Sequence, residues 1–228
     1  DPDVGTLFAE SMMNLQAWDY WTVDGDPVGR AEEIVSVLET VLAAHPDHPG
    51  ANHFYIHTME ASSNPGRAVA AAEKLENMVP GSGHLVHMPS HIFINVGRYE
   101  DAVLANQAAI EADEAYFDMV DGHTFYRLYF LHNMHFLAYA AMMEGRSELA
   151  LSTFKRMEAE CPEEMIRMFA PNFDGLMPAR LHALIRFGHW EEILEQAQYP
   201  EFQHASRATR AYARTVALAN LGRVGEAR

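Results

Sequence analysis

Histidines recur at fixed distances before a series of glycines along this 228-residue chain. One histidine stands thirteen residues before each of Gly66, Gly97 and Gly145, and another stands nine or ten residues before each. These histidines are His53, His84 and His132, followed by His57, His87 and His135. The residues six before the same glycines are Glu60, His91 and Tyr139. Equal spacing predicts equivalent structural positions, so we treat these side chains as one candidate site.

The spacing within each segment predicts a stripe of side chains on one helix face. The first two stripes are His53, His57 and Glu60, at i, i+4 and i+7, and His84, His87 and His91, at i, i+3 and i+7. Neighbours in such a stripe lie roughly 5 to 6 Å apart at Cβ, so two imidazoles can bind one ion. Helical His-x-x-x-His metal sites follow the same spacing.

The number of candidate ligands bears on the number of ions. Residues seven apart are separated by about 10.5 Å along a helix axis, which is too far for one ion that sits about 2.0 to 2.2 Å from each donor. The predicted metal ligands are His53, His57, Glu60, His84, His87, His91, His132 and His135. This surplus favours two ions, or one ion with the other histidines as supporting and acid/base groups. Imidazole suits copper, iron or zinc better than magnesium or calcium, so we predict one or two such ions per chain.

Two residues are candidates for a catalytic role. Glu60 shares its stripe with His53 and His57, and could bind the metal or act as a general base for a metal-bound water. Tyr129 stands three residues before His132 and could carry a proton, although packing in an aromatic core explains it as well.

The first of the repeated segments has no histidine. Gln16 and Asp19 stand thirteen and ten residues before Gly29, and Trp18 and Trp21 flank them. These aromatic residues could form the wall of a pocket and contact a substrate, or they could pack between helices.

The elements that must position these residues form a repeat. Glycine followed by a helical pattern recurs at intervals of 37, 31, 48, 43 and 34 residues, at Gly29, Gly66, Gly97, Gly145, Gly188 and Gly222. A glycine that ends one helix in the left-handed conformation, just before a second helix, is typical of a helical hairpin. Strand-like alternation is absent, so the sequence predicts an all-α array of about six antiparallel hairpins that spans residues 1–228 as one domain.

The segment Gly97-Arg98-Tyr99-Glu100-Asp101-Ala102 resembles the turn signature of the tetratricopeptide repeat (TPR) family. The resemblance covers most of the chain, with two intervals longer than the family's usual period. The segments HPGANHFYIHTMEAS, PGSGHLVHMPSHIFINVGRYEDAVLANQAA and LHNMHFLAYAAMMEGR are similar to a histidine-rich bacterial subgroup of unknown activity. The resemblance implies a right-handed superhelical α-solenoid. It also implies that the first helices line a concave groove, which would hold a small-molecule or peptide ligand.

Two positions bear on the ends of the helices. Pro89 falls between His87 and His91, so it either bends one helix or begins a new one. The chain stops at Arg228, just inside a second helix, and we therefore expect further repeats beyond it.

Composition narrows the possible partners. Acidic residues outnumber basic ones by 32 to 16, which gives a formal net charge of −16, so nucleic acid and anionic membranes are poor partners. A single cysteine, Cys161, excludes an intrachain disulfide and a cysteine-based metal site. The start, DPDVGTLFAES, has no signal core and no apolar run is long enough to span a bilayer, so we expect a soluble chain of undetermined compartment.

These features favour a helical-repeat protein with a histidine-rich transition-metal centre that could support redox or hydrolytic chemistry. The alternative is a metal-free TPR scaffold that binds a peptide or protein partner. Such grooves normally use Lys, Arg and Asn to hold carboxylates, whereas the stripes here carry imidazoles. Metal storage or delivery without turnover is a third possibility, which histidine and methionine ligands would also fit.

Overall fold

The computed structural model describes residues 1–120 and 125–227, and the regular structure within them is helical. One isolated antiparallel bridge, between Trp21 and Pro27, is the exception within that part of the chain. The predicted all-α class is confirmed. Two compact units divide the chain, Asp1–Phe136 and Leu137–Arg228, and the interpretation of residues 1–228 as one repeat domain stays a prediction.

The first unit consists of helices that pack against their neighbours in the chain. Its helices are α1 (Pro2–Leu15), α2 (Ala31–Ala44), α3 (Pro49–Met59), α4 (Val69–Leu75, preceded by a 3₁₀ turn at Pro65–Ala68), α5 (Gly83–His87), α6 (Pro89–Asn95), α7 (Tyr99–Phe117) and the start of α8 (Arg127–Met143). Helix α2 packs on α1 and α3, while α7 packs on both α5 and α6. Helix α3 also contacts α6, which brings the first two histidine stripes side by side.

The second unit has the same kind of architecture. Its helices are α9 (Ser147–Glu160), α10 (Glu163–Phe173), α11 (Ala179–Phe187), α12 (Trp190–Glu195), α13 (His204–Asn220) and α14 (Val224–Ala227). Helix α11 packs on α9, α12 and α13 around a buried apolar cluster that includes Leu181, Leu184 and Ile193. The inserted helix α10 accounts for the long interval between Gly145 and Gly188.

Most of the predicted glycine turns have the expected backbone. Gly29, Gly97, Gly145, Gly188 and Gly222 have φ values between 55° and 80°, in the left-handed region. The prediction that Gly29 ends a helix was wrong, because α1 ends at Leu15 and the residues between them form a loop. The prediction for Gly66 was wrong, because this residue lies inside the 3₁₀ turn Pro65–Ala68. Proline is favoured at the first position of a helix, so the new helical segment begins at Pro65, and the chain has already turned between Met59 and Asn64.

The helices pack through the small or apolar residues that follow the turns. Five residues after each glycine the side chain is buried at Ile34, Ala71, Ala102, Ala150 and Ile193, and half-buried at Ala227. Three methionines near the histidines, Met59, Met88 and Met134, are also buried. No helix in the described part of the chain has the length and apolarity needed to cross a membrane.

Pro89 divides the helical path that carries three of the histidines. It is the first residue of α6, where its missing N–H leaves no donor unpaired, and Met88 joins α5 to α6 with helical backbone angles. His84 and His87 therefore lie on α5, and His91 lies on α6. Both interpretations of Pro89 hold in part, because α6 begins there while the preceding GHLVH is itself helix α5, connected through helical backbone at Met88.

A buried polar network fixes the position of α5. Asp113 on α7 is fully buried and accepts hydrogen bonds from Tyr126 Oη at 2.7 Å and Asn133 Nδ2 at 2.8 Å. Gly83 begins α5 against this carboxylate, so closely that a Cβ at position 83 would collide with Asp113. The absence of a side chain at Gly83 thus allows α5, with its two histidines, to lie against α7.

We expect Gly83→Ala to lower the free energy of unfolding by about 1 to 3 kcal/mol, because the added methyl must displace the Asp113 carboxylate. Gly81→Ala is the matched control, since no atom lies within 4 Å of a Cβ at that position. Chemical denaturation followed by circular dichroism measures both variants. Equal stability of the two variants would contradict the proposed close packing.

Candidate metal centre

Six of the predicted histidines form two groups of three. Within each group, one ring nitrogen per residue lies within 4.8 Å of the other two. The outer group is His53, His57 and His84, all half-buried. The inner group is His87, His91 and His132, of which the first two are buried. All six residues belong to the first compact unit.

Four helices supply these side chains. Helix α3 carries His53 and His57, and α5 carries His84 and His87. Helix α6 carries His91, and α8 carries His132. His84 and His91, which are seven residues apart, belong to different groups, as expected from the length of two helical turns.

The hydrogen bonds of the inner group determine where two of its ring protons lie. Asn106 on α7 donates through Nδ2 to the carbonyl of Ala102 at 2.7 Å, so its Oδ1 faces His87 Nδ1, also at 2.7 Å. His87 therefore carries its proton on Nδ1. His91 Nδ1 contacts a carboxylate oxygen of Glu60, which as an ionised group can only accept a hydrogen bond.

The Nε2 atoms of His87 and His91 are consequently both unprotonated in the neutral rings, and they lie 2.9 Å apart. Two nitrogen lone pairs at this separation repel each other unless a cation lies between or beside them. A ligating histidine commonly donates its other ring N–H to a carboxylate or carbonyl oxygen, which fixes the tautomer in the same way. In its neutral form the inner group thus has a proton arrangement that suits a candidate metal site.

Glu60 connects the two groups. Its Oε1 accepts from His57 Nδ1 at 3.0 Å, and its Oε2 accepts from His91 Nδ1. Burial alone would raise the pKa of Glu60, but the hydrogen bonds from His57 and His91 lower that pKa to about 2. Asn95 links the backbones of Glu60 and His91, since its Nδ2 donates to both of their carbonyl oxygens, each at 2.9 Å.

In the outer group, hydrogen bonds fix the proton position on His57 but not on His53 or His84. His57 donates through Nδ1 to Glu60, so its Nε2 is available to a metal. The Nε2 atoms of His53 and His84 lie 3.1 Å apart, and His84 Nδ1 is buried with no hydrogen-bond partner among the described residues. His84 can donate to His53 through Nε2, but its own buried Nδ1 then has no hydrogen-bond partner among the described residues.

Burial keeps most of these rings neutral. It lowers the pKa of His53 and of His132 to about 3 and that of His84 to about 4, with further lowering by neighbouring histidines. The pKa of His87, which is fully buried, is also well below its usual value. Neutral imidazole is the form that binds metals, so at pH 7 protons compete weakly for these four nitrogens.

The two groups differ in how much solvent reaches them. The Phe136 ring packs on all three rings of the inner group, with centroid distances between 4.6 and 4.8 Å. On the outer group, Tyr129 lies with its centroid 4.9 Å from that of His84 and remains 36% exposed. An ion in the outer group would thus be the more accessible one.

Other predicted residues lie outside the two groups. His135 is a member of neither, although burial lowers its pKa. Tyr139 follows Phe136 in the second unit. Tyr129 contacts the outer group through its ring, and its predicted role in carrying a proton stays a prediction.

Counting along the first helices could not find Asn106, because it lies on the second helix of a hairpin. The available signal was a polar amide in the apolar segment AVLANQAA, which suggests that a buried partner is required.

Comparisons with known proteins bear on the fold alone. No family model matches the chain, and no curated protein does so. Among solved structures, the chain is similar to the crystal structure of MamA, a TPR-containing protein, with a TM-score of 0.50 and 13% sequence identity over 86% of this chain and 91% of that one. This likeness confirms the TPR-like α-solenoid class predicted from the glycine turns.

We expect the metal-free protein to lose stability as the pH falls from 6.5 towards 4. The unfolded chain binds protons at histidine near pH 6.5, whereas His53, His84 and His132 in the folded state have pKa values of about 3 to 4. Stability is therefore full above pH 6.5, and each such histidine removes up to about 1.4 kcal/mol per pH unit below it. Urea unfolding with a chelator, at pH 7 and pH 5, measures the difference.

His53→Gln should make this pH dependence shallower by about one proton, since one titrating group is removed. His45→Gln is the control, because His45 is exposed at the end of α2 and belongs to neither group. Identical pH dependence in all three proteins would contradict the assignment of these protons.

Proposed function

We propose that this chain is a TPR-like metalloprotein that binds two transition-metal ions, one in the inner group and one in the outer group. The observation that carries the proposal is the pair of facing Nε2 atoms on His87 and His91, 2.9 Å apart, with both Nδ1 protons committed elsewhere. His132 provides the third nitrogen. Two facing lone pairs, with a third imidazole nitrogen within 4.8 Å, favour a cation site.

A metal ion suits this arrangement better than a proton does. A proton between the rings would place a charge on His87, which is fully buried, or on His91, which contacts the Glu60 carboxylate, and it would add a single hydrogen bond. A divalent transition metal instead forms bonds with all three nitrogens, and structural zinc contributes about 10 to 16 kcal/mol in small peptide sites. The negative charge of Glu60, which accepts from His91 Nδ1, partly balances the charge of the ion.

Three imidazoles leave a coordination position for water or another ligand, which is typical of catalytic rather than structural zinc sites. Copper and iron also accept such ligand sets, so the metals proposed are copper, iron or zinc. The inner ion would be held beneath Phe136, and the outer ion would meet solvent. We therefore assign redox or hydrolytic chemistry, if the protein is an enzyme, to the outer ion.

Glu60 takes a supporting role in this proposal. The sequence suggested a ligand or a general base, but both carboxylate oxygens accept hydrogen bonds from ring N–H groups. Glu60 thereby orients one ligand of each ion and couples the two sites.

A second candidate function is a metal-free scaffold for a peptide or protein partner. The TPR-like fold favours it, because that fold generally mediates protein or peptide binding. Neutral, paired imidazoles are unusual for such a role, because they provide no positive charge for a peptide carboxylate. Metal content distinguishes the two functions.

We expect the purified, untagged protein to bind two equivalents of one or more of these metals, measured by inductively coupled plasma mass spectrometry after incubation and desalting. The double variant His91→Ala/His132→Ala should lose the inner ion, and His53→Ala/His57→Ala should lose the outer ion. His45→Ala/His204→Ala is the control, since both residues are exposed and outside the groups. Less than about a tenth of an equivalent in the wild-type protein would favour the metal-free scaffold.

We expect Glu60→Gln to weaken metal binding at both sites by about 10- to 100-fold, as loss of a supporting carboxylate does elsewhere. The amide lacks the negative charge that strengthens both hydrogen bonds, and it presents an NH₂ group to one of the two histidines. Competition with a chromophoric chelator measures the affinities, and Glu32→Gln, at an exposed position on α2, is the matched control. Loss at one site only would contradict the bridging role of Glu60.

A further inference from the structure

The segment between α1 and α2 contacts α3 through two tryptophans, one of which touches the outer histidine group. Trp21 is half-buried and donates through Nε1 to the backbone carbonyl of Thr58 at 2.5 Å, which fixes the segment to α3. Trp18 instead lies edge-on to His57, with ring centroids 5.0 Å apart, and remains 69% exposed. The bond to α3 thus gives Trp21 a structural role, whereas no such bond explains the exposed position of Trp18.

The backbone at Trp18 is strained. Its φ is +65°, and it is the one described residue other than glycine with a positive φ. A bulky side chain in this conformation persists only where its surroundings impose it, and such residues cluster at binding and active sites.

The side chain of Gln16 imposes the strained conformation at Trp18. Its Nε2 donates to the carbonyls of Asp19 and Val28, each at 3.0 Å, and its Oε1 accepts from the Arg30 backbone N–H at 2.8 Å. The chain is therefore held in a conformation that presents the indole at the outer group.

Aromatic rings also lie on the other side of the outer group. Tyr129 packs against His84, and Phe125, which is 65% exposed, lies with its centroid 6.2 Å from that of Tyr129. Exposed aromatic rings beside an accessible set of ligand nitrogens are typical of a small-molecule site, where apolar surfaces hold the body of the ligand and a few polar groups orient it.

We infer that Trp18 is the binding platform for a flat, aromatic small molecule that coordinates the outer ion through a nitrogen donor. The inference rests on the proposed function, because the donor needs an ion on His53, His57 and His84. The aromatic part of the ligand would lie on the Trp18 indole. Aromatic ligands suit this surface, and the net charge of −16 disfavours anionic ones, so the ligand is neutral or cationic.

The test compares two probes, imidazole and 4-phenylimidazole, by isothermal titration calorimetry with the metal-loaded protein. Both present the same donor, and only the second has a ring for the indole. We expect 4-phenylimidazole to bind about tenfold more tightly than imidazole to the wild-type protein. In Trp18→Gly this advantage should fall to about twofold or less.

Stability separates a binding role from a structural one. Glycine adopts a positive φ readily, so Trp18→Gly should keep the wild-type melting temperature, whereas Trp21→Phe should melt earlier because it loses the bond to Thr58. Trp18→Asn, which also tolerates this backbone, is a second variant that guards against a folding defect in the first. Trp21→Phe should retain the preference for 4-phenylimidazole.

Two results would overturn the inference. If imidazole binds and 4-phenylimidazole shows no advantage, or an advantage that Trp18→Gly and Trp18→Asn both retain, the platform is wrong while the outer ion stands. If neither probe binds, the outer ion and the platform fail together.

Discussion

The Glu60 carboxylate is the point on which the histidine site depends. It lies at the end of α3 and accepts two hydrogen bonds, one from the ring N–H of His57 on α3 and one from the ring N–H of His91 on α6. Each of these hydrogen bonds turns an Nε2 atom towards a different group of histidines. An ionised carboxylate that accepts two imidazole N–H bonds also explains why its pKa falls to about 2 despite burial. Without it, the rings could take the other tautomer and the lone pairs would not converge.

The helical hairpins provide the distances that this arrangement needs. Two residues one turn apart on a helix can share an ion, whereas residues two turns apart cannot. Packing of α3 on α6, with α5 held against α7 by the close approach of Gly83 to Asp113, brings partial stripes from different helices together. The outer group therefore combines a pair of histidines from neighbouring turns of α3 with one from α5. The inner group combines a pair that spans the break at Met88 with His132 from α8.

Much of this could be predicted from the sequence, because a repeat places residues of equal register at equivalent positions. The count from the glycines identified all six histidines of the two groups. His57 stands nine residues before Gly66 rather than ten, and Gly66 is also the glycine that lies inside a 3₁₀ turn. Register fixes a helix face but not the rotation of each helix about its axis, which is why His135 was expected beside the others and belongs to neither group. The proton positions set by Asn106, and the exposure of Trp18, depend on contacts between distant segments that no local pattern contains.

We propose that the lone pairs of the inner group converge on a metal ion. Anomalous diffraction from crystals of the metal-incubated protein, recorded on both sides of the absorption edge, tests it most directly. We expect a peak about 2.0 to 2.2 Å from the Nε2 atoms of His87 and His91, with His132 as the third ligand, and a second peak among the outer histidines. A well-ordered inner group with no anomalous peak, and with the His87 and His91 nitrogens still about 2.9 Å apart, would contradict it.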